Sequence, residues 1–144
     1  MKALYRKRLL KLAEHLEKGK LAHKKFDFSA YNVEKHDYVP AVRKCGYAGC
    51  AIGECPAIFP RQWTWGYTEP HLRNYNGALE SALESAIRFF GLNMSEAAHL
   101  FIPEEQTTYY YGGRFLTERA RRGSVARNIR AFVAIKEREA KKAQ

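Results

Sequence analysis

The sequence predicts a mainly α (α+β) fold, a compact single-domain bundle of about four to five helices with one small β-hairpin. Three observations lead there. Apolar residues recur at helical spacing in the first, central and last segments. Capping residues stand at several of their boundaries. A Gly-Gly pair separates two β-prone runs late in the chain. At 144 residues, with 46% hydrophobic and 28% charged residues, the chain has ordinary globular composition and the usual size of one domain. No internal repeat or low-complexity segment divides it.

Residues 3–18 read as an amphipathic helix: Tyr5, Leu9, Leu12 and Leu16 form the apolar stripe, and Lys and Arg occupy the remaining face. Gly19 is the expected stop. Phe26, Phe28 and Tyr31 alternate with polar neighbours as a short extended segment, and 32–41 read as a loop ending at Pro40. The Gly/Ala/Cys-rich stretch 45–55 is expected as a short buried helix sustained by close packing, with Pro56 and Pro60 breaking it. Residues 61–76 read as a long aromatic-rich loop. A central helix is expected over 77–90, with Leu79, Leu83, Ile87 and Phe90 inward, Asn76 as N-cap and Gly91 as stop. Asn93 and Glu96 form a capping-box arrangement for a helix over 94–102 ended by Pro103, with Leu92 stapling against Ala97. Residues 107–116 read as the hairpin, turning at Gly112-Gly113. The last helix is expected from Ser124 as N-cap, with Val125, Ile129, Phe132, Val133 and the Lys136 stem on its inner face.

The net charge of +10 is unevenly distributed: +7 over residues 1–25, −3 over 26–116 and +6 over 117–144. Packed side by side, the end helices would form one positive surface attractive to nucleic acid, nucleotides or an acidic protein. Solubility alone is the plainer account, of equal weight. No apolar run approaches the roughly 20 residues that span a bilayer, so no membrane association is expected. The opening segment lacks the uninterrupted apolar core of a secretory signal. Three cysteines (Cys45, Cys50 and Cys55) do not suggest a disulfide framework. The expected location is the cytoplasm.

The C-x4-C-x4-C spacing does not suit a metal knuckle, because on a helix each five-residue step turns the next thiol by about 140° beyond a full turn. Completing a site would need His36, His71 or His99 from elsewhere. The expectation is no metal and no cofactor, with the thiols packing as small hydrophobes. A sharper alternative makes Cys45 a nucleophile at a helix start, with His71 or His99 as base and Asn74 or Asp37 orienting it. The candidate ligand site is a different one. Arg61, Trp63, Trp65 and Arg73 interleave guanidinium groups with indole rings, and the hairpin adds Tyr109, Tyr111 and Arg114, followed by Arg119. Rings stack bases while arginine forks pair with phosphates. Against this stands the heavier alternative, that the same aromatics fill the core. No nucleotide-loop, zincin or nucleophile-elbow motif is present.

The order of segments resembles a loose group of short, uncharacterised bacterial and phage proteins. The carrying residues are L-L-x-L-A-x-H-L-E at Leu9 to Glu17, C-G-x-x-x-C-x-x-G at Cys45, Gly46, Cys50 and Gly53, F-x-G-L through L-F at Phe89 to Phe101, and V-A-x-x-I-R-x-F-V at Val125 to Val133. Tyr47 stands where such proteins often have Thr, and Glu54 where they have His. The resemblance implies an origin and no mechanism; a phage origin would favour an accessory protein that captures a nucleotide signal or blocks a host factor. The preferred function is non-enzymatic binding of an anionic ligand, either a nucleotide or nucleic acid. An interaction module for an acidic host partner, functioning as a homodimer in one version, is the first alternative. A Cys45-dependent hydrolase or transferase is the second.

Overall fold

The computed structural model describes residues 1–22, 25–26, 48–66, 69–73, 81–101, 110–111, 114–115 and 118–143. Among them helices dominate: α1 (Ala3–Lys18), α2 (Cys55–Ile58), α3 (Ala82–Phe90), α4 (Met94–Phe101) and α5 (Glu118–Lys142). Three two-stranded ladders join them. β1 (Lys25–Phe26) lies parallel to β2 (Ala48–Gly49), while β3 (Trp63–Trp65) with β4 (Pro70–Leu72) and β5 (Tyr110–Tyr111) with β6 (Arg114–Phe115) are antiparallel. The last pair is the expected hairpin. Among the described residues no helix is long and apolar enough to cross a bilayer.

Helix α1 has its expected bounds and buries Leu9, Leu12, Ala13 and Leu16. It runs antiparallel to α5, as three contacts show. Arg6 near its start pairs with Glu137. Glu17 near its end takes a two-pronged contact from Arg130 at 2.6 and 2.7 Å. The Arg122 guanidinium donates to the Leu16 and Glu17 carbonyls at 2.6 and 3.2 Å, satisfying acceptors that a helix end leaves open. Gly19 closes α1 at φ +67, and a Cβ there would come within 2.6 Å of that guanidinium. Val125, Ala126, Ile129 and Val133 of α5 complete the buried seam.

Four expectations change. Of the stretch 45–55, residues 48–54 hold strand β2 and a turn while 45–47 lie outside the described residues, and the helix begins where Pro56 was expected to end one. A proline in the first turn removes only an N–H that would have no helical partner. The expected loop at 61–76 contains the β3–β4 hairpin, in register Trp63 to Leu72. Helix α3 starts later than the periodicity predicts, with Ser81 as N-cap in a reciprocal capping box with Glu84; Asn76 and Leu79 lie outside the described residues. Its buried face is Ala82, Ser85, Ala86, Phe89 and Phe90, with Leu83 and Ile87 flanking it. Ser85 is tolerated inside because its hydroxyl accepts the Leu72 N–H at 3.2 Å, tying α3 to β4. Finally, α5 starts at Glu118, so Ser124 is a buried interior residue and not a cap.

The capping box before α4 forms as expected: Glu96 N–H donates to Asn93 Oδ1 at 2.8 Å, and Asn93 N–H to Glu96 Oε2 at 2.9 Å. The centre of the core is aromatic. Phe59, Trp63, Phe89 and Phe90 meet edge to face, with ring centroids between 4.9 and 6.3 Å apart.

Candidate functional site

On the flank of α1 away from the α5 seam, Leu4, Lys7, Arg8 and Lys11 fall at i, i+3, i+4 and i+7 and share one helical stripe. Facing them is the end of α2 with the turn that follows it. Phe59 N–H still bonds back to the Cys55 carbonyl, and Phe59 O accepts from both Gln62 and Trp63 N–H, so residues 59–62 fold over into β3. Between helix and turn lies a groove of about 380 Å³, lined by Leu4, Lys7, Arg8, Lys11, Ile58 to Gln62 and Phe89. Among the described residues that line it four are cationic, Lys7, Arg8, Lys11 and Arg61, and none is acidic.

The four cations have two different settings. Arg8 donates through Nη1 to the Phe89 carbonyl at 2.7 Å and lies 3.9 Å from the Phe89 ring centroid. It therefore caps the end of α3. Partial burial pulls its guanidinium below the ordinary arginine value, with Tyr5 acting in the opposite direction. Lys11 donates through Nζ to the Ile58 carbonyl at 3.2 Å and sits over the Phe59 ring at 5.1 Å, capping α2 in the same manner. Lys7 and Arg61 are exposed, and neither bonds another side chain or carbonyl among the described residues.

The structure places the sequence-predicted residues as follows. Arg61 lines the groove. Arg73 joins the same turn from β4's end, its Nε donating to the Pro60 carbonyl at 3.0 Å and its N–H to the Gln62 carbonyl at 2.8 Å. Trp63 is wholly buried against Phe89, which withdraws its ring from any ligand, while Trp65 is half-buried. The indole Nε1 of Trp63 finds no acceptor among the described residues. Tyr111 and Arg114 are paired in backbone register and Arg119 lies in α5. Their side chains, and Tyr109 altogether, lie outside the described residues. The groove thus brings Arg61 together with three cations of α1 that sequence reading left unassigned, while Arg73 braces the turn that carries Arg61 and is not itself among the lining residues. Their signal was the 4-7-8-11 spacing, which only the position of α2 could have singled out.

The cysteine alternatives fare differently. Cys45, His36, Asp37 and Asn74 lie outside the described residues, and His71 Nδ1 donates to the Leu72 carbonyl at 2.9 Å. Cys50 and Cys55 are buried free thiols. Burial pushes the Cys50 thiol up to about 11 and that of Cys55 well above its ordinary value. Among the described residues no group of three or more His, Cys, Asp or Glu could hold a metal. Glu54, between these thiols in sequence, is fully buried. Its Oε2 lies 3.0 Å from His15 Nε2 and accepts the Ala22 N–H at 2.7 Å, fastening the turn before α2 to α1 and the residues after it. Compared with protein-family models, curated proteins and solved structures, the chain has no match in any of the three.

Proposed function

We propose that the chain is a non-enzymatic binding protein for an anionic ligand, a nucleotide or nucleic acid, seated in the groove between α1 and the α2–β3 turn. The observation that carries this reading is the groove's lining, which among the described residues has four cations and no carboxylate, whereas at the α1–α5 seam Arg6 and Arg130 are paired with Glu137 and Glu17. Unopposed positive charge beside low-dielectric walls raises the local concentration of anions. The volume falls at the lower end of the about 300–1,000 Å³ typical of small-ligand sites. The resemblance to short bacterial and phage proteins, if it reflects origin, would fit an accessory protein that captures a nucleotide signal.

Calorimetry and thermal shift against nucleotides and short single- and double-stranded DNA at low salt test the reading. Binding is expected to weaken steeply as salt is added, and Lys7→Ala is expected to reduce the salt slope for DNA by about one. Silence toward every one of these ligands removes the proposal.

A further inference from the structure

The groove's two rings are the natural place to look for base recognition, and neither ring face is open. Phe59 and Phe89 are 7% and 3% exposed. Lys11 covers the first and Arg8 the second, and the two rings pack edge to face against each other with centroids 4.9 Å apart. A base that stacks on an aromatic side chain needs a free face. Trp63, which could have offered one, is interior.

What the groove does offer is N–H donors of two kinds. Arg8 and Lys11 are each held by a carbonyl, using one donor and keeping the others, since a guanidinium has five and an ammonium three. Lys7 and Arg61 stand at the rim with no competing bond among the described residues. Fixed donors beside adjustable ones suit a ligand with several anionic oxygens along a short chain, and a single carboxylate would leave most of that charge unmatched.

We infer that the groove recognises a di- or triphosphate group through its oxygens, independently of any base attached to it. This rests on the anionic-ligand reading and narrows it. The phosphate could belong to a nucleoside triphosphate or to inorganic tripolyphosphate, and the experiment separates these sources.

Calorimetry at low salt with ATP, GTP, inorganic tripolyphosphate and adenosine is the test. The three phosphate compounds are expected to bind within about threefold of one another, and adenosine not at all. A preference of more than about tenfold between ATP and GTP, or ATP binding without tripolyphosphate binding, overturns the inference and leaves the anionic-ligand reading standing. Failure of all three phosphates together with DNA removes both. The double variant Lys7→Ala/Arg61→Ala should weaken tripolyphosphate by more than about tenfold, the scale of lost charge-assisted hydrogen bonds. Arg127→Ala/Arg138→Ala removes the same charge from α5 and should change affinity by less than about threefold. Equal losses in the two variants would mean diffuse attraction and would overturn the groove assignment.

Discussion

Helix α1 carries cations on two flanks, and the flanks behave differently. Toward α5, Arg6 meets Glu137, Arg130 reaches across to Glu17, and Arg122 closes the helix end. Toward α2, Lys7, Arg8, Lys11 and Arg61 surround a groove with no carboxylate among its described lining residues. Both end segments are about equally basic in sequence, at +7 and +6. Formal charge therefore does not say where a positive surface will be. One flank spends its charge on joining two helices, and the other retains it.

Contacts other than the groove cations also hold α1, and one of them is the buried Glu54 carboxylate. Glu54→Ala would leave His15 and the Ala22 N–H without their buried acceptor. It is expected to destabilise the fold by about 3 kcal/mol in urea denaturation. A loss below about 1 kcal/mol would mean that α1 is fixed elsewhere. Next in size is the difference within the groove. Arg8→Ala removes a helix-end contact and a ring contact and should cost about 1–2 kcal/mol of stability. Lys7→Ala touches neither and should stay within about 0.5 kcal/mol while weakening phosphate binding. If both variants are equally unstable, the distinction between fixed and free cations fails.

Acid titration probes the paired flank with a smaller effect. The hydrogen bond from Arg130 holds the Glu17 carboxyl below its ordinary 4.5. Burial works against ionisation of Glu96, yet the Lys136 contact and the Asn93 N–H together bring its carboxyl below the ordinary value too. Depressed carboxylates stabilise the fold above their unfolded value. That contribution is complete above about pH 4.5 and declines as pH falls through the folded values. Because Glu17 is more than a third exposed, the combined loss should be under about 1 kcal/mol and shrink in high salt. A rise in stability on acidification through that range would contradict the pairing. Smallest of all is the response of Cys50 and Cys55 to a thiol reagent at pH 8. With both thiols buried and Cys50 raised to about 11, neither should be modified until the protein unfolds. Mass-spectrometric mapping of the native protein checks this.

The parts of the fold legible from sequence are those whose signals are local. The α1 stripe, the Gly19 stop and the Asn93–Glu96 box each depend on residues within two turns of one another. Where long-range packing decides, the local signals mislead. Ser124 has the chemistry of a cap, but α5 continues through Gly123 and Ser124, because Val125 and Ala126 pack into the core there and Arg122 closes α1. Such packing overrides the roughly 1 kcal/mol that a glycine costs a helix. Residues 61–76 read as a loop, and only the pairing of β3 with β4 and the position of α3 decided that Trp63 would be core. The groove was the least legible feature. Seven of the first twenty residues are Lys or Arg, and nothing local distinguishes those that end beside the α2 turn from those that meet α5.

The seam between α1 and α5 also has a consequence for how the chain is made. Its partners are separated by about a hundred residues of intervening chain, from Lys18 to Glu118. At about 5–20 residues per second, a ribosome needs roughly 5–20 s to add that length. Throughout that interval the part of the apolar α1 face that meets α5 lacks its partner, which makes the nascent chain a candidate for chaperone binding until α5 emerges.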